Sequence, residues 1–124
     1  MKKVLILHGW GGSDYPHWQA WVASELIKEN YVVSFPPLPN RENPTLTEWI
    51  DTLKKEFDHF QPDIVLCHSL ANVLWFHFVT KHEIENVQKL MLVAPVSKKA
   101  IEGVESFYPY PIPSDLKSDE IIMV

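Results

Sequence analysis

The tightest constraint on the fold comes from short apolar runs that do not alternate with polar residues. Val4-Leu5-Ile6-Leu7, Ile64-Val65-Leu66-Cys67 and Leu90-Met91-Leu92-Val93 are apolar at every position. A strand with one wet face alternates; a run without alternation reads as a strand buried on both faces. Helix-period segments separate these runs. Trp18 to Asn30 puts Trp18, Val22 and Leu26 at i, i+4 and i+8. Thr45 and Glu48 form a capping-box pattern, after which Leu46, Trp49, Ile50, Leu53, Phe57 and Phe60 share one helical face until Pro62. Leu70 to about Thr80 is apolar almost all round, as a buried helix is. Tyr31 to Phe35 and Ile121 to Val124 read as two more strands. Pro36, Pro37, Pro39 and Pro44 forbid regular structure between the second strand and its helix. Ser97 to Ser106 reads as a weak helix, and Phe107 to Pro113 as an aromatic, proline-rich loop.

Strands alternating with helices imply an α/β domain, a three-layer parallel sheet of about five strands. At 124 residues the chain is one domain, 1–124. Right-handed crossovers favour the strand order 2-1-3-4-5. In that order the chain reverses direction between the first and third strands, and ligands bind in the crevice at their carboxyl ends. The loops leaving those two ends carry His8-Gly9-Trp10-Gly11-Gly12 and Cys67-His68-Ser69-Leu70. The two chemically suggestive segments therefore meet at one place.

Charge narrows the function classes. The net charge is -5 and the isoelectric point about 5.6, which argues against a nucleic-acid partner. The lysine pairs Lys54-Lys55 and Lys98-Lys99 make no polybasic membrane patch. The first apolar run is too short for a signal-peptide core, and Leu70 to Val79 is too short to span a bilayer. A single cysteine, Cys67, excludes an intrachain disulfide and suits a reducing compartment, so the expected location is cytoplasmic. No histidine has metal-ligand spacing with another His, Asp, Glu or Cys, and neither a metal nor a cofactor is expected.

Ser69 sits where an apolar strand turns at once into a helix. It has two readings, as a helix N-cap and as a nucleophile exposed on a tight strand-to-helix turn. A serine hydroxyl is a weak nucleophile without a base. In an acyl transfer the developing oxyanion needs two N–H donors: that of Leu70, just after the nucleophile, and one from the loop after the first strand, for which Trp10 is the candidate. Gly9, Gly11 and Gly12 would let that loop approach closely. His8 and His68 flank the crevice as pocket residues. His68 is expected to point away from Ser69, and His17, His59, His77 and His82 to lie on helices or surfaces. Cys67 reads as a small buried residue. Gly9-Trp10-Gly11-Gly12 could cradle a phosphate, but it fits neither the dinucleotide fingerprint nor the P-loop.

The motifs HGWGGSDYPHWQAW, FPPLPNRENPTLTEW, IVLCHSLA and LMLVAP occur in this order at close spacing. Together they resemble the small α/β serine hydrolases related to retinoblastoma-binding protein and bacterial YdeN, over nearly the whole chain. The resemblance implies that Ser69 is the nucleophile, that Trp10 and Leu70 supply the oxyanion-hole amides, and that the substrate is a small-molecule carboxyl ester or related acyl compound. Trp10, Trp18 and the proline-rich loop hint at an apolar acyl or aryl group. Two positions depart from the family's Gly-His-Ser-x-Gly turn, which here has Cys67 and Ala71; strain rather than loss of the turn is expected. A third departure is larger. The fold's triad runs Ser, acid, His, yet no histidine follows Asp115 and Asp119. The expectation is a hydrolase domain lacking its last strand and helix, impaired as this chain alone, with its last strand open to a partner or to self-association. A non-catalytic binding module in the same crevice is the alternative.

Overall fold

The computed structural model describes residues 1–12, 17–96 and 98–124. Its elements run β1 (Lys3–Leu7), α1 (Trp18–Lys28), β2 (Val32–Ser34), α2 (Leu46–Phe60), β3 (Ile64–His68), α3 (Leu70–Lys81), β4 (Val87–Val93) and β5 (Ser118–Met123). The strands form one sheet in the order β2-β1-β3-β4-β5, and each neighbouring pair is parallel. The architecture is the one expected, and it brings the carboxyl ends of β1 and β3 side by side, with Leu7 opposite Cys67.

The continuous apolar runs are explained by two different covers. Leu5, Leu7, Val65, Cys67, Leu90 and Leu92 face α2 and α3, where they meet Trp49, Leu53, Leu74 and Phe78. Val4, Ile6 and Leu66 face α1, where they meet Ala23, Val22 and Leu26. Each fully buried aliphatic side chain contributes on the order of 1.5–3 kcal/mol, so the strands that are covered twice anchor the sheet. The second face is covered less completely. A groove of about 420 Å³ runs beside α1, lined by Val22, Leu26, Ile64, Leu66, Met91 and Val93 among others. At the sheet's edge, Met123 and Val124 are 68% and 73% exposed.

Helix α2 begins as the capping pattern predicts. The Thr45 hydroxyl accepts from the Glu48 N–H and donates to the Glu48 carboxylate at 2.9 Å. It ends on Gln61 in the left-handed conformation, immediately before Pro62. Helix α1 ends earlier than its apolar spacing predicts, because the chain turns through Asn30 at φ 68°. Strand β2 is trimmed to three residues. Strand β4 starts earlier, at Val87, which is buried while Gln88 is exposed; Gln88 and Lys89 hid it. Strand β5 likewise starts at Ser118, among polar residues. The weak helix expected over Ser97 to Ser106 does not form within the described residues. Gly103 at φ 96° breaks it, and a single 3-10 turn follows at Glu105–Phe107; Ser97 lies outside the described residues. Of the expected loop over Phe107 to Pro113, Phe107 closes the 3-10 turn and is fully buried, and the loop begins at Tyr108. Among the described residues no helix is long and apolar enough to cross a membrane.

Candidate active site

Only Ser69 separates β3 from α3. Its backbone stands at φ 56°, ψ -119°, a region that costs a residue with a Cβ on the order of 1–3 kcal/mol. Several bonds hold it there. The Ser69 N–H donates to the Val93 carbonyl at 3.0 Å, and the Ser69 carbonyl accepts from the Asn72 N–H at 3.0 Å. The Asn72 side-chain amide donates to the same Ser69 carbonyl at 2.8 Å and to the Val93 carbonyl at 3.0 Å. Cys67 and Ala71, which flank the turn, are fully buried in the core, and between Cys67 and Ala71 only Ser69 has a positive φ. Burial pushes the Cys67 thiol far up, which leaves it a packing residue rather than a nucleophile.

A serine that caps a helix accepts a hydrogen bond from an N–H one turn in. Ser69 makes no such bond, and among the described residues its hydroxyl has no hydrogen-bond partner. That removes the capping explanation for a serine at this position. Leu70, the first residue of α3, has an N–H with no acceptor inside the helix.

The loop after β1 lies directly against this turn. Gly9 is buried, and a Cβ there would stand 3.0 Å from the His68 carbonyl and 3.1 Å from the Ser69 Cβ. Only a glycine permits that approach. Gly11 (φ 84°) is tied outward instead, its N–H donating to the Arg41 carbonyl at 2.9 Å. Trp10 is 43% exposed. Its ring lies over Gly103, where a Cβ would come within 2.7 Å of it, and its Nε1 donates to the Glu42 carbonyl at 2.9 Å. Among the described residues the backbone N–H of Trp10 has no acceptor. The loops after β1, β2 and β4 thus meet around Trp10 at the carboxyl end of the sheet.

The histidines are differently employed. His8 is buried, its Nε2 accepting from the Leu38 N–H at 2.8 Å and its Nδ1 donating to the Gly9 carbonyl at 2.8 Å. It lines a cavity of about 230 Å³ with Phe35, Pro36, Pro37 and Arg41, and shapes the glycine loop from behind. His68 points toward α1, its ring 5.1 Å from that of His17 and 5.2 Å from that of Trp18. Burial, reinforced by His17, holds its pKa below the ordinary histidine value. His17 accepts from the Gln19 N–H and caps α1. His77 is bonded to the Phe107 carbonyl at 2.9 Å, and His82 packs on Phe78. Among the described residues no histidine is hydrogen-bonded to Ser69. Asp115 pairs with Lys117 and Asp119 with Asn86; both lie at the amino end of β5, the opposite end of the sheet from Ser69.

Sequence reasoning missed Asn72 and Arg41. Asn72 carried a signal, an amide early in a helix otherwise apolar on nearly every side. Arg41 carried none, because its partners Gly11 and Gly12 approach it only once the loops after β1 and β2 fold together.

The chain matches the Serine hydrolase family over residues 4–121. It is 35% identical over 52 residues to YdeN of Bacillus subtilis (strain 168), a protein named as a candidate hydrolase; the match takes in 42% of this chain and 27% of that one. The crystal structure of the B. subtilis ydeN gene product superposes with a TM-score of 0.83 at 21% identity, covering 99% of this chain and 70% of that chain.

Proposed function

Because the chain belongs to the serine hydrolase family, we propose that Ser69 is the nucleophile of an acyl-transfer site, with the N–H groups of Leu70 and Trp10 as oxyanion donors. The observation that carries this reading is the pairing of a strained Ser69 backbone with a hydroxyl that caps nothing. Strain of that kind persists where it re-aims a functional group. The substrate class is a carboxyl ester or related acyl compound. The Ser69 oxygen attacks the carbonyl carbon while its proton passes to water, and the alcohol leaves as the acyl–oxygen bond breaks. Water then hydrolyses the acyl-serine to release the acid. The negative charge that develops on the carbonyl oxygen during attack would be met by the N–H groups of Leu70 and Trp10, neither of which donates to an acceptor among the described residues. Gly9 sets the close approach of the loop to the turn, Gly11 ties the loop to Arg41, and His8 and His68 support the walls. The location we assign is the cytoplasm.

The described residues supply the nucleophile and the donors but no histidine bonded to Ser69. We therefore expect slow chemistry from this stretch of chain alone. A site without a working base retains an acceleration of roughly 10³–10⁴ over water from its oxyanion donors and binding. A partner that pairs with the exposed edge of β5 and brings a base to the crevice would raise that rate. Hydrolysis of p-nitrophenyl acetate and butyrate by the purified chain tests the reading. Slow turnover above buffer, abolished in Ser69→Ala, is expected. Turnover that survives Ser69→Ala would defeat it, and binding of acyl compounds with no turnover would favour the binding-module alternative.

A further inference from the structure

Asn72 is fully buried, and its side-chain amide serves two carbonyls, those of Ser69 at 2.8 Å and Val93 at 3.0 Å. Its Oδ1 is buried without a hydrogen-bond partner among the described residues. The unpartnered Oδ1 carries the desolvation cost of a buried acceptor, which a residue present for packing alone would not incur. The bonds it makes indicate what it does. The Ser69 carbonyl and the Leu70 N–H belong to the same peptide unit, which is planar and trans, so the two groups point in opposite directions. Fixing the carbonyl fixes the N–H. The Ser69 carbonyl is held by two donors from one residue, the Asn72 N–H at 3.0 Å and the Asn72 amide. Val93 in turn accepts both from this amide and from the Ser69 N–H. Both ends of the Ser69 backbone are thereby tied to the end of β4.

We propose that Asn72 is a positioning residue for acyl transfer: its side-chain amide locks the Ser69–Leu70 peptide plane and so aims the Leu70 N–H at the oxyanion. This rests on the assignment of Ser69 as nucleophile. The helix alone does not give the same control. The Asn72 N–H remains in any substitution, but a single donor leaves the peptide plane free to tilt about one bond.

Two variants of nearly equal size separate aim from packing. In Asn72→Ala the donor is gone. In Asn72→Ser a hydroxyl three residues after Ser69 can bond back to its carbonyl, as serines in helices do. Two readouts apply to each: the Leu70 amide resonance with the Ser69 ψ from backbone chemical shifts, and the rate at which a fluorophosphonate probe modifies Ser69, measured by intact mass. Asn72→Ala is expected to shift the Leu70 amide and to slow labelling by about ten- to a hundredfold, with Asn72→Ser restoring most of both. Should Asn72→Ala fail to fold, Asn72→Leu keeps the branched shape without the donors and carries the same expectation. An unmoved Leu70 amide in Asn72→Ala, or equal losses in the alanine and serine variants, would overturn the proposal. If the unmutated chain takes no label, the nucleophile assignment fails by itself, and the Leu70 amide still decides whether Asn72 sets the peptide plane.

Discussion

Cys67 and Ser69 are two residues apart and have opposite chemical prospects. Cys67 points into the core, where desolvation suppresses its thiolate; Ser69 turns its backbone out of the strand. Iodoacetamide should leave Cys67 unmodified in the native chain and alkylate it fully in denaturant, as peptide mass spectrometry will read. Gly9 is equally position-bound. Gly9→Ala drives a methyl group onto the His68 carbonyl, 3.0 Å away, and is expected to cost about 1–3 kcal/mol of stability by overpacking while spoiling the fit of the loop to the turn. Urea unfolding monitored by tryptophan fluorescence checks the first effect. His68 makes stability depend on pH. Its folded pKa lies below its unfolded value, so the unfolded chain takes up the proton first. Its contribution is complete above about pH 6.5 and is lost as pH falls through the folded value. The thermal midpoint should drop on acidification from pH 7.5, with a shallower drop in His68→Gln.

At the scale of elements, what the sequence revealed depended on whether the signal was local. Helix α2 was legible because its cap, its apolar face and its stop all lie within eighteen consecutive residues, Thr45 to Pro62. Its cap is also testable: Thr45→Ala should cost about 1 kcal/mol, seen as a lowered urea midpoint with an unchanged slope. Strands β1 and β3 were legible for the same reason, since burial on both faces writes an uninterrupted apolar run. The start of β4 was not, because Val87 and Lys89 take ladder positions that only the neighbouring strands β3 and β5 define. The weak helix over Ser97 to Ser106 was misread because the polar spacing ignored Gly103, whose positive φ is needed where the chain passes under the Trp10 ring.

At the scale of the molecule, the parallel sheet brings two turns that are distant in sequence against each other. The Ser69 turn and the glycine loop could be read from sequence and placed together by strand order alone. The clamp from Asn72 and the brace from Arg41 could not, since each depends on which carbonyl or loop lies across the fold. The lightly covered sheet face is a second whole-molecule property. The groove of about 420 Å³ beside α1 is lined almost wholly by apolar residues. The native chain should therefore bind a hydrophobic dye such as ANS while keeping its near-ultraviolet tryptophan signal, which separates groove binding from a loosened core. The central claim is that Ser69 is the reactive group of a hydrolase site. Its most direct test is intact-mass and peptide-mapping analysis of the folded chain after prolonged exposure to a fluorophosphonate. We predict slow formation of a single adduct, mapped to Ser69 and absent in Ser69→Ala. An adduct at another residue, or no adduct at Ser69 beyond that of the denatured chain, would contradict it.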